Sequence, residues 1–273
     1  MQDLATIAFY LGVIAYSVAA TLFFLDLARR EGFAPAQQWA PRALGLGAAL
    51  HAAHVVTASL LSRVCPVESL HFALSLSALI VAGVYLALRR RLRLHAVGAF
   101  VAPIALTFLV GAQFVSLNEG GPDASVPRTL LAVHVTVNLA GVGLFLLAAG
   151  VGAFYLMQER QLKEKRVGWL TAKLPPLDAL DRTEHRLLLA GFPLLTLGIV
   201  TGAVFAGGLQ AGAMMLRALI AYATWLVAAA VLLLRVTAGW RGRRAAYGTI
   251  AGAVGVMLVI LLYAVQSPPG EGL

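Results

Sequence analysis

Eight stretches of this chain contain no Asp, Glu, Lys or Arg: residues 4–25, 43–62, 69–88, 94–117, 129–158, 187–216, 218–234 and 245–270. Crossing a hydrocarbon core about 30 Å thick takes about 20 apolar residues of helix. Seven of the runs reach that length, and 218–234 lies within the tolerated range. None shows the strict alternation of a membrane β-barrel, and an open strand in lipid would leave its backbone polar groups unpaired. The pattern predicts an all-α, polytopic membrane protein: a bundle of about eight transmembrane helices, forming a single domain over residues 1–273.

Composition agrees with that pattern. Hydrophobic residues make up 60% of the 273 positions and charged residues only 12%, about half of what a soluble domain carries. The start, Met1-Gln2-Asp3, lacks the basic segment of a cleavable signal, so the first run is expected to remain as a helix. Basic residues follow the loops alternately. With the N-terminus outside, 18 of the 21 Lys and Arg fall on the inner side, and only Arg63, Arg128 and Arg217 fall outside. This asymmetry predicts both termini outside and a multi-pass protein of the bacterial inner membrane. It also accounts for the net charge of +9. No basic stretch is interleaved with base-stacking aromatics, so the charge points to anionic membrane lipid and not to nucleic acid.

The outer loops are short, and the longest, around Asn118-Glu119-Gly120-Gly121-Pro122-Asp123, is acidic and rich in turn formers. The main segment outside the membrane is the inner loop 159–186. It opens as a charged helical extension, breaks at Pro175-Pro176, and re-forms as a short helix from Leu177 to Arg186. The pairs Gly198/Gly202 and Gly248/Gly252 let helix backbones approach closely, and packing within the bundle is the reading taken for both. Cys65, the one cysteine, cannot form an internal disulfide and reads as a small apolar residue at a helix end.

Polar residues inside a membrane are costly, so they are where chemistry is sought. None of the eight runs holds a carboxylate or lysine, which argues against a proton- or sodium-coupled transporter. No Ser/His/Asp or paired-carboxylate arrangement can be assembled, so no enzyme is expected. Histidine remains. His95 and His185 lie beside arginines at inner helix ends and read as interfacial residues. His51 and His54 are three apart on one helix face. His71 begins the third run, and His134 lies in the outer part of the fifth. At 1.5 Å per residue, His54 is about 13 Å from Arg63 and His134 about 9 Å from Arg128, which puts them at similar depth. Two neutral imidazoles at matched depth can serve as axial ligands to haem iron. The alternative is that each hydrogen-bonds a neighbouring helix. Asn138, four residues after His134, shares its face. Ala52, Ala53, Gly141 and Gly143 are small enough to leave room for a porphyrin.

Several stretches resemble the cytochrome c assembly family that includes CcsA, ResC and the HemX-like proteins. Residues 130–163, LLAVHVTVNLAGVGLFLLAAGVGAFYLMQERQLK, are similar to that family's helix with an outer histidine. LPPLDALDRTEHRLLLAGFPLLTLGIVTGAVFA at 174–206, TWLV at 224–227 and GWRGRRAAYGTIAG at 239–252 continue the likeness. In the first half, PVESLHFALS at 66–75 and RLRLHAVGAFVAP at 91–103 share it. The resemblance implies a membrane protein of cytochrome c biogenesis that binds or presents haem at the outer face. It makes His134 an iron ligand and implies other assembly proteins as partners, while the matched depth adds His54, or in second place His71, as the paired ligand. The family's Trp-rich outer loop has no counterpart in GGLQAGAMMLRAL at 207–219. Leu233 stands where the CcsA branch has a histidine, and the tail QSPPGEGL has none. These departures fit the shorter HemX-like branch, which implies a non-enzymatic regulator or scaffold contacting haem-synthesis enzymes through the inner loop 159–186.

Overall fold

The computed structural model describes residues 2–28, 34–66, 69–90, 95–115, 127–165, 173–205 and 213–266. Residues 118–123, most of 207–217, the centre of loop 159–186 and the tail beyond Gln266 lie outside them. Eight α-helices account for nearly all the described chain: α1 (Gln2–Ala28), α2 (Ala34–Ser62), α3 (Leu70–Leu88), α4 (Gly98–Ala112), α5 (Arg128–Lys163), α6 (Leu177–Phe205), α7 (Ala213–Thr237) and α8 (Arg243–Gln266). A 3₁₀ turn, His95–Val97, leads into α4. All eight are long and apolar enough to cross a membrane once that turn is counted with α4. Large apolar side chains such as Ile7, Ile14, Leu60, Leu197, Leu226 and Leu261 are exposed. A water-soluble surface would not carry so many, and a lipid-facing one requires them.

The helices differ from the charge-free runs at several ends. α2 begins nine residues before its run, and α6 begins ten residues before 187, so that the short helix expected at 177–186 is continuous with the sixth span. Conversely, α4 is shorter than the run 94–117. These longer helices place Asp26, Asp181 and Glu184, which lie outside the charge-free runs, at buried helical positions.

The chain divides into two units. In the first, α1 packs along α2 and α4, α2 meets α3, and α3 meets α4. Its close approach rests on small residues. Ala5, Ala8, Gly12, Ala15 and Ala19 repeat at helical spacing on the buried face of α1. A Cβ on Gly12 would lie 3.7 Å from the His51 nitrogen, and one on Gly47 would lie 2.7 Å from the Tyr16 ring, so α1 and α2 touch nearly backbone to backbone. Near the other end of α1, buried Asp26 faces His95 at 3.6 Å and Lys173 at 3.7 Å.

In the second unit, α5 packs against α6 and α8, and α7 packs against both α6 and α8. Both glycine pairs work inside this bundle. Gly198 and Gly202 face Asn138 and His134 of α5, Gly248 faces Val231, and Gly252 faces Phe145 and Val227. The turn from α7 to α8 is pinned by Asp181. Its carboxylate pairs with Arg235 and accepts the Gly242 N–H at 2.6 Å. Gly239 (φ 64°) and Gly242 (φ 60°) both adopt the left-handed conformation that this turn requires. Glu184 is fully buried and accepts a hydrogen bond from Thr249 at 2.6 Å.

Candidate functional site

The histidines singled out by sequence fall into two separate environments. His134 belongs to the second unit, six residues into α5. Its ring lies across Gly202 of α6, where a Cβ would come 2.9 Å from Cε1. Nδ1 is 2.9 Å from the Thr201 hydroxyl. That hydroxyl has one hydrogen and two carbonyl neighbours, Leu197 O at 2.7 Å and Gly198 O at 3.1 Å. The hydroxyl has one hydrogen to share among Leu197 O, Gly198 O and the His134 Nδ1. When that hydrogen lies on Leu197 O, the shortest of the three contacts, the ring carries its proton on Nδ1 and its lone pair on Nε2. The Asn138 amide nitrogen lies 3.2 Å from Nε2 and 3.3 Å from Nδ1. His134 is half-buried, with neighbours fixed by the regular spacing of two antiparallel helices.

Gly141 was expected to leave space beside this ring. The space is already filled, since a Cβ there would lie 3.0 Å from Leu195. Gly141 belongs to the close α5–α6 contact, as does Gly191, whose Cβ would lie 3.1 Å from Leu144. Ala53 of α2 is exposed and faces away from its unit's core.

His51, His54 and His71 form the other environment, in the first unit. All three are buried, at 0, 1 and 2% exposure. The His54 Nδ1 lies 2.9 Å from Ala5 O on α1, and the His71 Nδ1 lies 2.7 Å from Ala112 O at the end of α4. The His51 Nδ1 faces the Tyr16 hydroxyl at 3.4 Å. Beyond these, the His54 Nε2 meets the Gln113 amide nitrogen at 3.5 Å, while Nε2 of His51 and of His71 has no hydrogen-bond partner. Sequence reasoning identified His54 and His71 as candidates but not the backbone carbonyls that hold them. His51 was noted only for sharing a face with His54, and Tyr16 and Gln113 were missed. The i, i+4 spacing of Gly12 and Tyr16 opposite His51 was the available signal. Among the described residues, no group of three or more His, Cys, Asp or Glu side chains is assembled to hold a metal ion.

Comparison with known proteins gives a consistent picture. The family model described as cytochrome C assembly protein matches residues 66–267, a stretch that runs through both units. The chain is 30% identical over 208 residues to the cytochrome c biogenesis protein CcsA of Guillardia theta, covering 68% of each chain. It is 33% identical over 163 residues to CcsA of Crocosphaera subtropica, covering 58% of this chain but 46% of that one. It is also 29% identical over 158 residues to Protein HemX of Brevibacillus brevis, covering 58% of each. The chain thus spans about two thirds of the first of these relatives and about half of the other two. No solved structure matches it. With the family model covering well over half of its length, the chain belongs to the cytochrome c assembly protein family.

Proposed function

We propose that this protein handles haem in cytochrome c biogenesis, as a non-enzymatic multi-pass protein of the bacterial inner membrane, with His134 ligating haem iron near the outer face. The observation that carries this reading is the hydrogen-bonding state of His134. With the Thr201 hydroxyl donating to its own helix, it accepts from Nδ1 and leaves the lone pair on Nε2, the atom an iron would take. Asn138, a neutral amide that can turn away, lies within hydrogen-bond distance of both ring nitrogens. Support also comes from the relatives named for cytochrome c biogenesis. The basic loops support the orientation with both termini outside. Haem is the cargo in this role, received or presented, and other assembly proteins are the partners it calls for.

The test is an absorption spectrum. The chain is expressed in haem-replete cells and purified in mild detergent beside His134→Ala and Asn138→Ala. The parent should show a Soret band, His134→Ala should lose or shift it, and Asn138→Ala should retain it. A parent band unchanged in His134→Ala would refute the ligand assignment.

A second reading, a HemX-like regulator acting on haem-synthesis enzymes, is favoured by one observation. Leu233, where the CcsA branch has a histidine, is 62% exposed on α7, where a lipid-facing residue would be. A parent without any Soret band, together with capture of a haem-synthesis enzyme by crosslinking from Gln161, would establish that reading in place of the first.

A further inference from the structure

We propose that Glu184 is a proton-binding site: a carboxylic acid held neutral where α5, α6 and α8 meet, giving up its proton only when that junction opens.

Three carboxylates are buried among the described residues, and two of them have cations. Asp26 faces His95 and Lys173, and Asp181 pairs with Arg235. Glu184 has none. It is 0% exposed, its Oε1 meets the Thr249 hydroxyl of α8 at 2.6 Å, and its Oε2 has no hydrogen-bond partner. Small residues close the helices around it. A Cβ on Gly152 of α5 would lie 3.4 Å from Oε1 and 3.4 Å from Ala246 of α8, so three helices converge on the carboxyl. An ionisable group kept at such a position in a membrane bundle is costly, and its retention calls for a use.

These surroundings suit the acid and not its anion. A carboxylate offers about four lone-pair sites to donors, and here one neutral hydroxyl serves them. An ion buried without a counter-charge is far costlier than the neutral group, so a carboxyl in that position keeps its proton. Arg235 of α7 does not supply the charge. Its side chain is 8% exposed, and both its terminal nitrogens are held by Asp181, one cation against one carboxylate. In the neutral acid the Thr249 contact persists, with Oε1 as the carbonyl oxygen and the proton on Oε2. The other titratable groups of these helices are engaged elsewhere or exposed. On α5, the Tyr155 hydroxyl lies against Gly242, and Glu159 pairs with Lys163. On α6, Asp178 pairs with Arg182 and Arg186 is exposed, while half-buried His185 makes no hydrogen bond to Glu184 and leaves its Nδ1 unpartnered. On α8, Arg243 and Arg244 are exposed. The site is separate from the haem reading, since Gly152 lies 18 residues, about 27 Å, along α5 from His134.

Opening the junction has a measurable consequence. A glutamate released by unfolding ionises near pH 4.3, so above that pH the folded chain holds one proton more than the unfolded one, and stability falls as pH rises. The test uses the full chain, purified haem-free in mild detergent. Infrared spectra of the parent at neutral pH should contain the C=O stretch of a protonated carboxyl, and Glu184→Gln should lack it. Selective labelling of the parent with carboxyl-¹³C glutamate should shift that band, an assignment that needs no variant to fold. In unfolding by dodecyl sulfate, the ratio of the parent's unfolding constant to that of Glu184→Gln should rise by up to about tenfold for each pH unit above ~4.3, until Glu184 itself ionises in the folded chain. A parent without the protonated-carboxyl band, a band unmoved by the glutamate label, a band that survives in Glu184→Gln, or a ratio independent of pH would each overturn the proposal. None of these readouts involves haem, so a missing Soret band bears on the His134 reading alone.

Discussion

Replacing Asp181 with alanine should be among the most damaging single changes in the second unit. The side chains of Asp181 and Arg235 are 10% and 8% exposed, and the guanidinium reaches the carboxylate through both terminal nitrogens, with the Nη1 contact at 3.1 Å. The same guanidinium donates to the Asp181 carbonyl at 3.3 Å, and the carboxylate also accepts the Gly242 N–H that starts α8. Deleting the carboxylate strands a buried cation, which costs about 3–5 kcal/mol. It also leaves the Gly242 N–H unmet. Asp181→Asn keeps an acceptor for Gly242 and should recover about 1 kcal/mol of that loss. The decisive variant removes both charges. Asp181→Leu with Arg235→Met abolishes the stranded cation, so most of the penalty should vanish, leaving about 1–3 kcal/mol for the unmet N–H. Unfolding would be followed by Trp225 and Trp240 fluorescence as dodecyl sulfate is titrated into neutral micelles. If Asp181→Ala costs less than about 1 kcal/mol, or the double variant is no more stable than Asp181→Ala, the pair does not act as argued here.

Two further substitutions separate close packing from looseness. Gly198→Ala places a methyl group on the Asn138 amide, so overpacking of about 1–3 kcal/mol should outweigh the ~1 kcal/mol helix gain of alanine and alter the Soret band of haem-loaded protein. Gly12→Ala, whose nearest neighbour would be Leu109 at 3.6 Å, should be neutral or stabilising by up to ~1 kcal/mol in the same unfolding assay. Trp225 stacks on Phe192 with centroids 5.6 Å apart and donates to the Thr196 hydroxyl at 2.9 Å. Trp225→Phe should lose only the hydrogen bond, about 0.5–1.5 kcal/mol, and Trp225→Ala about 3–5 kcal/mol. Equal losses in the two would mean that the stack contributes nothing.

Eight helices were legible because lipid tolerates so few alternatives, but the same signal misplaces their ends. A charge-free run reports what the hydrocarbon core accepts, whereas a helix continues until its hydrogen bonds stop. α6 runs back through Asp181 and Glu184 because Arg235, Gly242 and Thr249 receive those side chains, and none of these partners is near them in sequence. The histidines show the same limit. Depth along a helix could be counted, so His54 and His134 were matched in level. What fixes the rings is a backbone carbonyl for His54 and a threonine held by its own helix for His134, and backbone acceptors leave no mark in a sequence.

One relation in the site could have been read in advance. Gly198 and Gly202 signalled close packing, but what they admit is polar. A step of four along α5, from His134 to Asn138, is matched by a step of four back along α6, from Gly202 to Gly198. The register holds further in, with Gly141 on Leu195 and Gly152 on Glu184. In an antiparallel pair each glycine creates a recess and the facing side chain fills it. Two polar residues spaced i, i+4 therefore ask for two small residues at the same spacing on the neighbouring helix, and α6 supplies them. The glycines set where the His134 ring lies, and Thr201 and Asn138 are the polar side chains that meet it there.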